Sequence, residues 1–428
     1  MRCNHQRNLL FDDSQLDAEN YLLNKVILSL DILNLVKQHE NIRSSSLNMI
    51  ASENCLSPSV KYALSVENSR YHAKFYAGTE VFLEIYEKTV NLAKDLFRCS
   101  SAHISPLSGN MALLAIIFAF SNPDDQIAIL PLFPGGGYPL NLEFFNRKKI
   151  DIPYNIDYFN IDISKTKSML RNSKPPLVIL GASLILFPQP IAEIAEEIHK
   201  YGGVVIYDAS HVLGLIAGRQ FQDPLREGVD ILLGSTHKSF PGPQGGIILS
   251  NNFQNDQLER LIGVDPLEGI GFVDNIHNSR IAALGISFEE FKEYGEDYAT
   301  QIVKNSKNFA NSLNDNQIPL FGEKFGFTES HQVLLKIKDS QEGEYLRDCL
   351  YKHKIVTDGL LRFGTAELTH QGFKEQDMID LGFITAKIIN LIRKQGKISP
   401  QEKDNINSEV AKLLNRLSNS KTYFQGKL

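Results

Sequence analysis

Thirteen residues held between two apolar runs constrain this chain more than any other stretch. Val229-Asp230-Ile231-Leu232-Leu233 and Ile247-Ile248-Leu249 have the character of buried strands, and Gly234-Ser235-Thr236-His237-Lys238-Ser239-Phe240-Pro241-Gly242-Pro243-Gln244-Gly245-Gly246 joins them. Lys238 therefore lies in a tight loop of small, turn-forming residues. An ammonium in such a place is costly unless it is neutralised, paired or used covalently. A Schiff base with an aldehyde cofactor removes that cost and supplies chemistry. The plainer alternative is a surface lysine in a β-turn.

A carboxylate upstream weighs against the plainer alternative. Val204-Val205-Ile206-Tyr207 reads as a buried parallel strand, and Asp208 falls at its carboxyl end, where α/β sheets place their ligands. Asp208 is suited to hold the protonated pyridine nitrogen of pyridoxal phosphate, which keeps the ring an electron sink. A strand-end aspartate also commonly caps a helix. His211 follows three residues later and Lys238 thirty (238 − 208), and the set favours the cofactor reading.

These two segments resemble the pyridoxal-phosphate core of serine hydroxymethyltransferases, through Asp208-x-x-His211 and Thr236-His237-Lys238 followed by Gly242-Pro243-Gln244-Gly245-Gly246. The resemblance runs from Met49-Ile50-Ala51-Ser52-Glu53-Asn54 to Arg362-Phe363-Gly364-Thr365, which is most of the chain. It implies a type-I pyridoxal-phosphate transferase fold of the α/β class, with a mostly parallel central sheet and helices on both faces. The implied domains are a helical arm over 1–45, a large cofactor-binding domain over 46–290 and a small C-terminal α+β domain over 291–428. The alternation of apolar strands and amphipathic helices, such as Leu177–Ser183, Ile191–Tyr201 and the Asp208 strand, independently suggests a parallel sheet. Long helices are expected at 288–313 and 375–394.

The resemblance also implies roles. Lys238 is the cofactor lysine and a general base, with Asp208, His211 and Tyr76 completing the catalytic group. Ser108, Gly109 and Asn110 correspond to a phosphate-binding segment, and small hydrogen-bonding residues at a helix start do favour anions; an ordinary N-cap is the alternative. Tyr138, Ser183, Ser235, His237 and Gly271 join the cofactor contacts, Gly271 across a subunit boundary. Ser52, Tyr71 and Arg362 correspond to substrate contacts, and the guanidinium of Arg362 suits an α-carboxylate. A homodimer is implied, with the helical segment 16–40 packing on the partner.

Four departures from the family pattern bear on the reaction. The family's Glu-Gly-Tyr-Pro-Gly segment, whose glutamate handles a proton in folate-dependent transfer, is missing after Tyr71. Glu53 and Glu80 are the nearest candidates in sequence for a carboxylate that replaces it. Gly137 stands where the family has a histidine stacked on the cofactor, with Tyr138 next to it. The loop Leu267-Glu268-Gly269-Ile270-Gly271-Phe272 has fewer glycines than the family's, and Gln244 replaces an arginine. These losses argue against tetrahydrofolate and for a folate-independent aldolase or transaldolase acting on glycine or a small β-hydroxy amino acid, with an aldehyde as acceptor. Ordinary folate-dependent glycine hydroxymethyl transfer, other chemistry at Cα (aminotransferase, racemase, decarboxylase) and a non-catalytic cofactor-binding homologue stay open.

Composition narrows the setting. At 428 residues, 43% apolar and a net charge of −6, the chain can bury a large core and has no electrostatic case for nucleic acid. Cys3, Cys55, Cys99 and Cys349 lack metal-type spacing, so no metal is expected, and reduced thiols in a cytoplasmic protein follow. The apolar run Met111–Phe120 is too short to span a bilayer, so no membrane partner is expected. Tyr423-Phe424-Gln425-Gly426 resembles a protease-tag remnant and carries no structural expectation.

Overall fold

The computed structural model describes residues 32–66, 77–251, 256–263 and 269–426. Tyr71 and Tyr76, and most of the helical segment expected over 16–40, lie outside them. The described residues up to Leu47 belong to a unit of their own, in which helix α1 (Ile32–Ser44) has no buried residue.

From Asn48 onward the chain forms a second unit, built on a seven-stranded sheet. Its strands are β1 (Ser101–His103), β2 (Gln126–Ile129), β3 (Lys148–Asp151), β4 (Leu177–Leu180), β5 (Val204–Asp208), β6 (Ile231–Ser235) and β7 (Gly246–Ser250). The spatial order is β1-β7-β6-β5-β4-β2-β3. Neighbours from β6 to β3 run parallel, while β7 is antiparallel to both β6 and β1. The lysine loop is thus the turn of a hairpin, with Ser235 opposite Gly246 at its base.

The apolar runs explain the layering. Strands covered on both faces read as continuous hydrophobic stretches rather than alternating ones. Along β5, Val205 and Tyr207 enter one hydrophobic cluster and Ile206 enters another, so each face has its own core. Helix α2 (Pro58–Ser65) is capped by Ser57, whose hydroxyl accepts from Val60 N. Helix α3 (Glu80–Phe97) follows, and α4 (Gly109–Phe120) is apolar nearly all round and largely buried against the sheet. Helix α4 begins at Gly109, two residues earlier than the apolar run suggests, because Ser108 caps it by accepting from Met111 N at 3.1 Å. Helix α5 (Ile191–His199) connects β4 to β5.

Helix α6 (Asn278–Asp315) has 38 residues and starts well before the expected 288. It spans about 57 Å at 1.5 Å per residue and runs continuously through position 290. A small antiparallel pair, β8 (Gln332–Leu334) and β9 (Arg362–Gly364), sets Gln332 opposite Gly364 and Leu334 opposite Arg362. Side chains alternate along a strand, so Gln332 and Arg362 share one face. Helix α7 (Ser340–Lys352) lies between these strands in sequence, and α8 (Glu375–Gln395) follows them. Helix α9 (Pro400–Asn419), closed by a Ser399–Glu402 capping box, extends the chain past the last helix expected from periodicity.

The tail packs where the sequence carried no expectation. Phe424 is 1% exposed and packs edge-on against His370 (4.9 Å between ring centroids) and Tyr298 (5.1 Å). Tyr423 N donates to the His370 carbonyl, and its hydroxyl accepts from Lys374 Nζ at 2.8 Å. Phe424 is thus part of the core, although Gln425 beside it is exposed. No helix among the described residues is long and apolar enough to cross a membrane.

Candidate active site

The parallel strands end on one edge of the sheet, and the loops leaving that edge converge on a cavity of about 190 Å³. Ser108, Gly109 and Asn110 come from the start of α4; Tyr138 follows β2; Ser183 follows β4; Asp208 ends β5 and His211 follows it; Ser235 ends β6, with His237 and Lys238 after it. Open α/β sheets bind ligands at this edge. A larger cavity of about 600 Å³, bordered by Asn308, Asp380, Phe383 and Arg416, lies elsewhere. Its carboxylates Asp380 and Glu409 are engaged by Arg416 and Lys387, and no strand-end lysine and aspartate meet there, so chemistry rather than size selects the smaller one.

The lysine loop is held at several points. Thr236 Oγ1 donates to the Pro243 carbonyl at 2.6 Å, Gly242 N donates to the Thr236 carbonyl at 2.9 Å, and Asn54 Nδ2 donates to the Lys238 carbonyl at 2.7 Å. Burial lowers the Lys238 pKa, Asp208 opposes that shift and Arg362 adds to it. An amine more easily deprotonated than an exposed lysine is the form that attacks a carbonyl or takes a proton. His237 is pushed down to about 4 by burial and then by Lys238, against the opposing charge of Glu53. Its Nδ1 is buried without a hydrogen-bond partner among the described residues.

Asp208 Oδ1 accepts from Ser210 N at 2.9 Å, so the strand-end carboxylate is oriented by its own turn. Ser210, which no motif singled out, also joins β5 to β6: its Oγ accepts from Ser235 N at 3.1 Å. A Cβ at Gly109 would run into the Ser235 hydroxyl, so glycine lets α4 approach the loop without displacing that group.

Gly137 has an equally physical reason. A Cβ there would run into the Leu130 carbonyl, leaving no room for the histidine the family places at this point. Tyr138 lines the cavity instead, its hydroxyl 3.3 Å from Asn110 Oδ1.

Arg362 is not among the residues bordering the cavity. Its Nε donates to Asp358 Oδ2 at 3.0 Å, and its Nη1 donates to the Ser183 carbonyl at 2.7 Å. Ser52 neighbours Ala51 on the segment that meets β9, where Gly364 N donates to the Met49 carbonyl at 2.8 Å. Gly271 packs on the Arg260–Leu261 backbone and does not border the cavity. Of the two carboxylates suggested by position, Glu53 acts on His237, while Glu80 accepts from Gly78 N at the start of α3.

A family model described as "Serine hydroxymethyltransferase" matches residues 27–384. The chain belongs to the serine hydroxymethyltransferase family. It is similar to the serine hydroxymethyltransferase of Methanosphaera stadtmanae, 39% identical over 373 residues, covering 81% of this chain and 87% of that one. The Methanobrevibacter smithii serine hydroxymethyltransferase is 35% identical over 413 residues, covering 90% and 94%. Among solved structures, an L-threonine transaldolase from Pseudomonas fluorescens superposes with a TM-score of 0.79 at 26% identity, covering 96% of this chain and 95% of that one. Membership of this family makes the protein a pyridoxal-phosphate-dependent enzyme of the transferase or aldolase kind.

Proposed function

We propose that this enzyme makes or breaks the Cα–Cβ bond of glycine or a small β-hydroxy amino acid without tetrahydrofolate, passing the aldehyde portion to or from a second aldehyde. The cavity's donor set suits pyridoxal phosphate. The unpartnered His237 Nδ1 and the close approach permitted by Gly109 leave polar atoms and space around Lys238. Ser108, Gly109 and Asn110 would hold the phosphate at the N-terminus of α4, and Asp208 the pyridine nitrogen. When bound, the cofactor supplies an electron sink for charge left at Cα.

The chain's own residues do the rest. Lys238 is the amine that anchors the aldehyde, and when released it moves a proton at Nζ. Arg362, with Ser52, would take the substrate carboxylate; Asp358 and the Ser183 carbonyl already fix the plane of that guanidinium. Tyr138 covers the cavity where the family's histidine would lie. Tyr71 and Tyr76 retain their proposed substrate and catalytic roles, and Gly271 its proposed contact with a partner's cofactor.

The observation that carries the folate-independent reading is the combination at the cavity. The cofactor-handling residues are intact, whereas Gly137 is backed against the Leu130 carbonyl and cannot be the stacking histidine. The absence of Glu-Gly-Tyr-Pro-Gly after Tyr71 removes the proton carrier of folate-dependent transfer, and such a group typically contributes ~100-fold or more to rate. The likeness to an L-threonine transaldolase supports the same reading. A second reading, ordinary folate-dependent hydroxymethyl transfer, is favoured by the names of the curated relatives.

Cleavage of serine with and without tetrahydrofolate, beside cleavage of threonine without it, separates the two. Threonine turnover with no folate response on serine is expected. Strong folate stimulation on serine with threonine inert returns the enzyme to ordinary hydroxymethyl transfer. Two copies would complete the site: α1 exposes Ile32, Leu33 and Val36, an apolar strip suited to a partner. Cys55, Cys99 and Cys349, none of them in a disulfide among the described residues, suit a reducing, cytoplasmic setting.

A further inference from the structure

His211 is oriented by a residue that no motif picks out. Gln332 lies on β8, is fully buried, and sends its amide between three partners. Its Oε1 accepts from Ile185 N at 3.0 Å, which settles which end of the amide is oxygen, because a backbone N–H can only donate. Its Nε2 then donates to the Ser183 carbonyl at 3.1 Å, a group that can only accept. The same Nε2 lies 3.1 Å from His211 Nδ1 and 3.5 Å from His331 Nε2. An NH₂ group has two hydrogens, and the two shorter contacts take them.

His211 Nδ1 therefore faces a donor and must accept. A neutral ring that accepts at Nδ1 carries its one proton on Nε2. We propose that Gln332 is a positioning residue that locks His211 as the Nε2–H tautomer, so that His211 cannot act as a proton acceptor through Nδ1. The groups facing the ring agree. Burial, Lys238, Arg362 and the stacked His331 (5.9 Å between ring centroids) all disfavour a second proton, and the Ala51 backbone acts in the opposite sense. Gln332 and Arg362 also share the Ser183 carbonyl, so one peptide oxygen ties the histidine to the arginine proposed to bind the carboxylate. This assignment does not depend on whether folate takes part.

The test is the nitrogen spectrum of the holoenzyme carrying ring-¹⁵N histidine, with the His211 signals assigned by their loss in His211→Asn. An unprotonated Nδ1 and a protonated Nε2, unchanged from pH 6 to 8, are expected. A proton on Nδ1 in the unmodified protein overturns the proposal directly, so Gln332 variants that do not fold leave the test intact. Gln332→Glu reverses the contact and should move the proton to Nδ1, with the acid limb of the kcat/KM profile displaced upward. Gln332→Met, which removes the donor but keeps the bulk, should give mixed tautomers and about a fivefold loss in kcat, the worth of one oriented hydrogen bond. A Gln332→Met enzyme with the unmodified ring signature and pH profile would also overturn it.

Discussion

Gly137 shows how a single residue can decide what a neighbouring one does. With the Leu130 carbonyl against its Cα, no side chain fits, and the ring at this corner of the cavity has to come from Tyr138. Gly137→His should therefore not restore a stacking histidine. It should cost roughly 1–3 kcal/mol through forced backbone movement, read as a lower melting temperature and weaker cofactor retention. Unchanged melting with a histidine over the ring would show that the backbone yields.

The buried histidines give a pH prediction at the same scale. Burial pushes His331 and His370 down to about 3, and His237 to about 4. Their unfolded value is about 6.5, so between the folded and unfolded values the unfolded chain binds protons that the folded one refuses. Stability from these groups is complete above about pH 6.5 and is lost as pH falls toward the folded values. At pH 5, above most carboxylate titration, each fully buried histidine should cost about 2 kcal/mol by this linkage. Calorimetry at pH 7.5 and 5.0 should show a lower melting temperature at 5.0. His370→Gln should narrow the gap, and an unaltered gap would exclude His370 as a contributor.

At the scale of elements, the C-terminal tail acts as a clamp. Phe424 covers His370, whose Nδ1 lies 3.3 Å from Asn54 Oδ1, and Asn54 in turn donates to the Lys238 carbonyl. Phe424→Ala removes a fully buried aromatic ring, a change that typically costs 3–5 kcal/mol. Its melting temperature should fall accordingly, and amide exchange should quicken in the lysine loop, 236–242. A variant that melts lower with loop exchange unchanged would confine the tail to core packing.

The whole molecule is proposed to work as a pair. Light scattering should give twice the 48.1 kDa of one chain. Replacing Ile32 and Val36 with aspartate, both exposed on α1, should shift the equilibrium toward monomer and reduce activity together. A fully active monomer would remove the need for a partner.

Much of this molecule was legible before any fold was known, and the reason is local. Strands β5 and β6 announce themselves as apolar runs, and the residues after them carry the chemistry at strand ends. The glycine- and proline-rich composition of 234–246 marks a turn wherever it occurs. The helix start at Ser108 was legible as a cap, whereas α6 begins ten residues before the expected 288. Other features depend on residues far apart in the chain. Gln332 meets His211 across 121 positions, and nothing about a glutamine in an apolar strand says which ring it will touch. Ser210 reaches Ser235 only because parallel pairing sets β5 beside β6. Phe424, in a tail of four residues, has no periodicity to read, and its burial was decided by a pocket built from Phe291, Tyr298 and His370. Composition and local pattern determined the sheet, the lysine loop and the class of cofactor. Only tertiary packing decided which hydrogen bonds orient His211 and why position 137 must be glycine, because those follow from distances between segments that the chain order does not contain.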